Sequence, residues 1–404
     1  MKVVQVNKYL EPRAGADIVM LRTARLLRRK GHEVVLMGME PRPGEEPDFP
    51  TYSVCPVDYD NMQFWRERAA AAGRLLYSLE AKRCMQRLIE RERPDVIHFH
   101  NIYHQLSPSI IDAAAEAGVP CGMTLHDYKL TCGIYCHNRR GIVCEKCRDG
   151  RYLNVLRYRC TENSLPKSLL NAVEMYLHHT VLRIYRQVDA FIAPSQFMKD
   201  KMQELGFRGR FVRLPYFLDA DDFSPSHCPE SRRIVYFGRL APEKGLFTLL
   251  DAMQGLDLHL EVVGRGPLEK PLERKVARDG LDNVSFEGFQ QQAELRRTIA
   301  GCRFAVVPSI WYENYPVSVM EAFALGKPVV GADIGGIPEL IGDDRGLLFE
   351  PGSAEDLQGA MQRLSSDPGR VESMGRNARS FVERELSPEE HYEKLCHIYR
   401  GLNS

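Results

Sequence analysis

A chain of 404 residues, 44% hydrophobic and 27% charged, has the composition of a globular protein and a length that suits two domains of roughly 200 residues better than one core. No apolar run approaches the ~18 residues a membrane span requires, and the opening "MKVVQVN" reads as a strand without a signal-peptide pattern, so a cytoplasmic chain is expected. The zero net charge hides an asymmetry: residues 1–210 carry 32 Lys/Arg against 24 Asp/Glu, which leaves 22 against 30 of the 54 of each kind for the rest. A basic half suits an anionic partner, either a phosphorylated substrate or acidic lipid headgroups met by peripheral contact at the inner face of a membrane. A chance excess on solvated helices would look the same.

In chain order, "VVQV" (3–6) is followed by a loop, an amphipathic helix over 17–30 and "EVVLM" (33–37). Then come "DVIHFH" (95–100), a helix near 107–117, "PCGMTLH" (120–126), "AFIAP" (190–194) and "RFVRLP" (210–215). Short Val- and Ile-rich runs between helices predict a parallel sheet covered on both faces. Residues 216–233 break the rhythm with Pro, Ser and Asp and read as a linker. The alternation resumes with "RIVYFG" (233–238), "LHLEVVG" (258–264), "NVSFEG" (283–288), "RFAVVPS" (303–309), "PVVGAD" (328–333) and "RGLLFE" (345–350), and helical pattern runs from 353 to the end. The expected fold class is α/β: two Rossmann-like, doubly wound domains facing a cleft, with ligands at the carboxyl ends of the strands.

In "VYFGRLAPEKG" (235–245) a strand ends in Gly238, followed by Arg239, a loop, and Lys244 just before a helix. Glycine lets a ligand approach the backbone, and two cations near a helix start make an anion site suited to a diphosphate. "VVGRGP" (262–267) repeats the geometry on the next strand; two plain strand-to-helix turns would use glycine as well. In "SIWYENYPVSVMEAFALGKPVV" (309–330), Pro316 suits a helix start near Tyr315, with Glu313 in the preceding loop, Glu321 two turns in, and the amides near Asn314 and Tyr315 aimed at an anion.

The order "GRLAPEKG", "VVGRGP", "EGF", Glu313-x7-Glu321 and "ALGKPVVGADIGGIPELI", with "TLHD" (124–127) in the first half, resembles the retaining glycosyltransferases of family 4, whose fold is the two-domain GT-B arrangement. The resemblance implies an N-terminal acceptor-side domain over 1–216, a donor domain over 217–385, and a C-terminal helix in 386–404 returning to the first domain. It implies that Arg239 and Lys244 neutralise the donor diphosphate, that Glu313 contacts the donor sugar, and that Glu321 holds the ribose. Asn314 and Tyr315 would meet the phosphate through their backbone, Phe289 and Gly264 would lie where base and phosphates pass, and His126 would reach the sugar across the cleft. Standing alone, His126 reads as a satisfied strand-end histidine. The family's paired glycines near the N-terminus are here "EPRAGAD" (11–17), leaving Gly15 to approach a phosphate. A D-x-D in "DADD" (219–222) lies in the linker and reads as a solvated charge run, so no catalytic metal is expected.

Five of the eleven cysteines lie within residues 132–160, and in a cytosolic chain such a cluster points to metal before disulfides. Cys144-x2-Cys147 is a knuckle, with Cys132, Cys136 and Cys160 as available partners. The insert at 128–164 resembles that of family members linked to capsule and exopolysaccharide assembly, which implies a structural zinc on Cys132, Cys144, Cys147 and Cys160. A cluster of free thiols is the alternative. The expected partners are a nucleotide-diphosphate sugar and a glycan or lipid-linked glycan acceptor, with no organic cofactor and no nucleic acid. A non-catalytic nucleotide-sugar binder of the same fold is the rival account. A nicotinamide enzyme is disfavoured, because "NKYLEPRAG" stands where a G-x-G-x-x-G would follow the first strand.

Overall fold

The computed structural model describes residues 1–402 apart from 43, 46, 60–63 and 140. In chain order the first half contributes β1 (Lys2–Val6), β2 (Glu33–Met39), β3 (Thr51–Val54), β4 (Val96–Phe99) and β5 (Cys121–Thr124). It continues with the hairpin β6 (Asn138–Arg139) and β7 (Ile142–Val143), then β8 (Ala190–Ala193) and β9 (Phe211–Arg213). Seven of these form a parallel sheet in the order β3-β2-β1-β4-β5-β8-β9. The second half contributes β10 (Arg233–Phe237), β11 (His259–Val263), β12 (Val284–Gly288), β13 (Ala305–Val307), β14 (Val329–Ala332) and β15 (Gly346–Phe349). Their parallel order is β12-β11-β10-β13-β14-β15. The α/β class with two doubly wound halves is therefore as expected. β3 was not foreseen: "TYSV" is a short edge strand after a proline, with only Val54 buried, so it lacks the continuous apolar run of the inner strands.

Alternate residues of the first sheet feed two cores, as the period of two requires. Val4, Val6, Ile97 and Phe99 pack on one face, while Val3, Leu36 and Val96 pack on the other beneath Leu395, Ile398 and Tyr399 of the C-terminal helix Pro388–Arg400. The second sheet has its own core around Ile234, Val262, Phe304 and Val330. The two stretches that pass between the halves run side by side, joined by the Leu218 amide donating to the Leu386 carbonyl at 2.9 Å.

The Cys-rich insert is folded back onto its own domain. Ser164 caps the helix Leu165–Tyr176 by accepting from the Lys167 amide, and that helix offers Asn171 and Glu174 to the buried Lys129. The Lys129 ammonium donates to Glu174 Oε2 at 2.9 Å and to the Gly133 carbonyl at 3.2 Å. Burial pushes the Glu174 carboxyl upward, but the charges of Lys129 and His104 outweigh it and hold the group well below the usual range. In each sheet the strand order reverses between two neighbours, β1/β4 in the first and β10/β13 in the second, and the crevices at those carboxyl ends are where such folds hold ligands.

Candidate active site

At the β10/β13 switch point the structure brings together two of the residues picked out from sequence. Lys244 closes a short turn (Pro242–Lys244) after β10, and Glu313 sits in the loop after β13. The Lys244 ammonium donates to Glu313 Oε1 at 2.6 Å, and the Ser309 hydroxyl donates to the same oxygen at 2.6 Å. Glu313 is only 6% exposed. Burial alone would raise its carboxyl, yet the Lys244 charge and the hydrogen bonds from Lys244 and Ser309 hold it below the ordinary carboxylate range. Lys244 is fixed there by Gly245, whose φ of +68° and whose contact with the Pro308 carbonyl leave no room for a Cβ (1.8 Å).

Arg239 follows β10 and is exposed. Gly238 and Gly264 end adjacent strands, and a Cβ on Gly264 would come within 1.9 Å of the Gly238 carbonyl. Their amides donate to Val263 and Gly288 carbonyls, so these glycines serve by what they lack rather than by offering N–H groups. Phe289, just past β12, leaves its ring 69% exposed, a free platform at the sheet's rim.

The second acid lies elsewhere on the same loop–helix unit. The helix runs Val317–Ala324, two residues shorter at its start than expected, because Pro316 stays extended (ψ 116°) as the cap rather than entering the first turn. The amides of Asn314 and Tyr315 donate to no carbonyl or side chain among the described residues, which leaves them available to an anion. Glu321 faces the first domain, 3.7 Å from Arg22 of the helix Gly15–Arg29. Burial pushes its carboxyl up, and the cations Arg22 and Arg296 offset that only in part. Gly15, at the start of that same helix, faces Val317, where a Cβ would be 4.0 Å from its Cγ2. The helix Gly15–Arg29 and the helix Val317–Ala324 thus border one seam, with Gly15 and Glu321 both on it.

His126 does not stand free. Its Nδ1 lies 2.7 Å from the Tyr216 hydroxyl and its Nε2 2.8 Å from His100 Nδ1. The polarity of this chain is set by Gln5, which donates its amide to the Tyr399 hydroxyl at 3.1 Å and so accepts from His100 Nε2–H at 2.7 Å. His100 Nδ1 must then accept from His126 Nε2–H, and His126 Nδ1 accepts from Tyr216. On the other side, Tyr399 donates to His98 Nδ1 and His98 Nε2–H to Thr124, both at 2.7 Å. Burial depresses His98 and His126 to about 3 and His100 well below its ordinary value, so the three rings are neutral. Sequence reasoning missed His98 and His100, although "HFH" shows both on one face of β4, with Gln5 as the register partner of His98.

The loop bearing Glu313 is clasped from the first domain. Asn314 Nδ2 donates to the Leu125 carbonyl at 2.8 Å, Asn138 of the insert to the Ile310 carbonyl at 3.2 Å, and Tyr312 to Glu145 of the insert at 2.8 Å. The "GG" at 335–336 backs it from behind: a Cβ on Gly336 would sit 2.0 Å from the Asn314 carbonyl. The glycine pair lies within the "ALGKPVVGADIGGIPELI" stretch, and an insert leaving the strand end just after His126 is placed to shape the cleft. Neither the insert's contacts with the Glu313 loop nor the backing role of the pair could be read from the residues.

Cys132, Cys144, Cys147 and Cys160 line one small cavity of about 20 Å³, and Cys136 lies outside it with its thiol toward the Asn138 carbonyl. The gathering of the four predicted cysteines is thus as expected, but a formed metal site is not: among the described residues no group of three or more His, Cys, Asp or Glu is arranged to hold a metal ion. Burial raises three of these thiols, Cys132 above its ordinary value, Cys147 to about 12 and Cys160 to about 11. No helix among the described residues is long and apolar enough to cross a membrane.

Two family profiles account for most of the chain: "Glycosyltransferase Family 4" over residues 13–222 and "Glycosyl transferases group 1" over 219–381. The chain is 33% identical over 182 residues to the amylovoran biosynthesis glycosyltransferase AmsK of Erwinia amylovora, which covers 42% of this chain and 45% of that protein. It is 29% identical over 245 residues to the GDP-mannose-dependent monoacylated alpha-(1-6)-phosphatidylinositol monomannoside mannosyltransferase of Corynebacterium glutamicum, covering 54% and 64%. The chain spans about half the length of the curated relatives it matches. Among solved structures it resembles the sucrose-phosphate synthase of Thermosynechococcus elongatus (TM-score 0.72, 19% identity, 99% and 98% covered). It also resembles Anabaena HepE in complex with UDP-glucose (TM-score 0.70, 19% identity, 99% and 100% covered). At that identity the likeness is one of fold, and with the profile matches it gives the conclusion that the chain belongs to glycosyltransferase family 4 and has the GT-B fold.

Proposed function

We propose that the protein moves a sugar, with retention at the anomeric carbon, from a nucleoside-diphosphate donor to a hydroxyl of a glycan or lipid-linked glycan during assembly of a cell-surface polysaccharide. The observation that carries this reading is the Lys244–Glu313 pair at the strand-order switch point, with the Asn314 and Tyr315 amides next along the same loop and without an acceptor among the described residues. The match to a relative named for amylovoran biosynthesis supports the polysaccharide setting. Arg239 and Lys244 take the diphosphate charge, so no catalytic metal is invoked. Glu313 meets the sugar and Glu321 the ribose hydroxyls, with Phe289 under the base. The bond from C1 to the diphosphate oxygen breaks, a bond from the acceptor oxygen to C1 forms on the same face, and the acceptor proton leaves on the diphosphate. Holding both substrates and stabilising the leaving charge supply the rate. A sugar hydroxyl takes the place of Tyr216 as donor to His126 Nδ1 in the loaded enzyme.

Steady-state kinetics with a UDP-, GDP- or ADP-sugar test the division of labour. Glu321→Gln should raise the donor KM with turnover nearly intact, and Glu313→Gln should lower turnover more than donor affinity. Equal defects in both would refute the assignment.

The four cysteines around one cavity are proposed as a structural zinc site, which would supply the positive charge that lets buried thiols ionise. Elemental analysis should find about one zinc per chain, lost in Cys144→Ser and Cys147→Ser and kept in Cys136→Ser. Metal-free wild-type protein, purified without chelators, would remove this claim alone.

A further inference from the structure

The helix Leu165–Tyr176 buries an unusually polar face. Beside Ala172 and Met175 it turns inward Ser168, Asn171 and Glu174, engaged by the Thr161 amide (3.1 Å), the Gly133 carbonyl (3.0 Å) and Lys129 (2.9 Å). Its outward face carries Leu165, Leu169 and Val173 at intervals of four residues, 52%, 50% and 44% exposed. Leu153, 63% exposed, lies alongside, its amide held by the Tyr176 hydroxyl at 3.3 Å, and Val181 and Leu182 extend the apolar surface past the helix end. An ordinary surface helix points these two faces the other way, and a contiguous exposed apolar stripe marks a surface made to be covered.

The surroundings say what covers it. Residues 151–186 hold six cations (Arg151, Arg157, Arg159, Lys167, Arg183 and Arg186) against Glu162 and the buried, paired Glu174. The helix continues into a π-helical turn, Leu177–Val181, that lines a groove of about 250 Å³ together with Arg183, Arg186 and Arg208, Asp149 being the one acid among its lining residues. Two such faces brought together by a two-fold axis would set like charge against like charge, whereas an apolar stripe rimmed by cations matches an anionic lipid surface on both counts.

We propose that this face docks on an anionic bilayer, with Leu165, Leu169 and Val173 seated at the headgroup–acyl boundary and the arginine-lined groove engaging lipid phosphate. The polar back of the helix is tied through Lys129 to the segment just after His126, so docking turns the first-domain side of the cleft toward the lipid. A lipid-linked acceptor would be presented there. That consequence rests on the transfer reading, but the docking itself does not, because vesicle binding is read without donor or acceptor.

Co-sedimentation of the full chain with vesicles of equal parts phosphatidylglycerol and phosphatidylcholine is the test, with phosphatidylcholine vesicles alone as control. Wild type should bind the anionic vesicles and release as salt is raised. Leu169→Glu or Val173→Glu should weaken partitioning by about tenfold or more, and Arg183→Glu by about fivefold per charge removed at low salt. These side chains are exposed, so unchanged thermal melts should show that the variants fold, and Leu169→Ala gives a milder second measure. No binding by wild type, or equal binding by the glutamate variants, would overturn the proposal. So would a wild-type dimer in solution that Leu169→Glu converts to monomer, which would assign the face to a second copy of the chain.

Discussion

Lys244→Met is expected to lower donor-dependent transfer by about 10²–10³-fold and, separately, to destabilise the fold by roughly 3–5 kcal/mol. The two effects share one cause. Lys244 is the direct cationic partner of Glu313, whose side chain is only 7% exposed, and removing it leaves a buried carboxylate with Ser309 as its main donor. In wild type the Glu313 pKa is held below its unfolded value, so its stabilising contribution is present above about pH 4.3 and is lost as pH falls through the folded pKa. In the variant burial acts without the ion pair and pushes the folded pKa above the unfolded one. The ionised group then costs stability at neutral pH, and protonation relieves that cost as pH falls. Urea unfolding should therefore show a gap between wild type and Lys244→Met that is widest near neutrality and shrinks on acidification. A gap independent of pH would mean that the pair contributes nothing to the fold.

His100→Leu should cost about 2–6 kcal/mol by stranding two buried groups, Gln5 Oε1 and His126 Nε2–H, at roughly 1–3 kcal/mol each. Stability of the wild type should itself be acid-sensitive through these rings. Burial depresses His98 and His126 to about 3 in the folded chain, below the unfolded value near 6.5. Their contribution is intact above about pH 6.5 and declines as pH falls toward 3, where the unfolded chain binds the protons. The variant should show a shallower loss over that window, because one depressed histidine is gone. Chemical denaturation at a series of pH values reads both numbers, and a variant as stable as wild type would show that the chain of hydrogen bonds is incidental.

Much of this architecture was legible in the residues because its strands are buried on both faces. "VVQV", "EVVLM" and "RIVYFG" are short, mostly apolar runs rich in Val and Ile of the kind a parallel sheet requires, and they appear as β1, β2 and β10. The edge strand "TYSV" was not legible, since an edge needs no such run. Lys244 and Glu313 could be picked out by motif, but their direct pairing could not, because it depends on how two loops 69 residues apart close on one another. The hydrogen-bond chain through His98, His100 and Tyr399 joins β4 to a helix some 300 residues later, a distance at which local pattern is silent. For the insert, sequence gave the cysteines a common purpose. It did not reveal that Asn138 and Glu145 reach the Glu313 loop, because those residues carry no periodic or spacing signal.

Sugar transfer at this site requires the switch-point crevice to bind a nucleoside-diphosphate sugar through Arg239, Lys244 and Glu313. The direct measurement is a thermal-shift panel of UDP-, GDP- and ADP-sugars on wild type, Arg239→Ala and Lys244→Ala. One base should stabilise wild type by about 2.7 kcal/mol at a hundred times its Kd, and the same concentration should give little or no shift in either variant. A shift of equal size in all three proteins, or none with any nucleotide sugar on wild type, would contradict the assignment of this site.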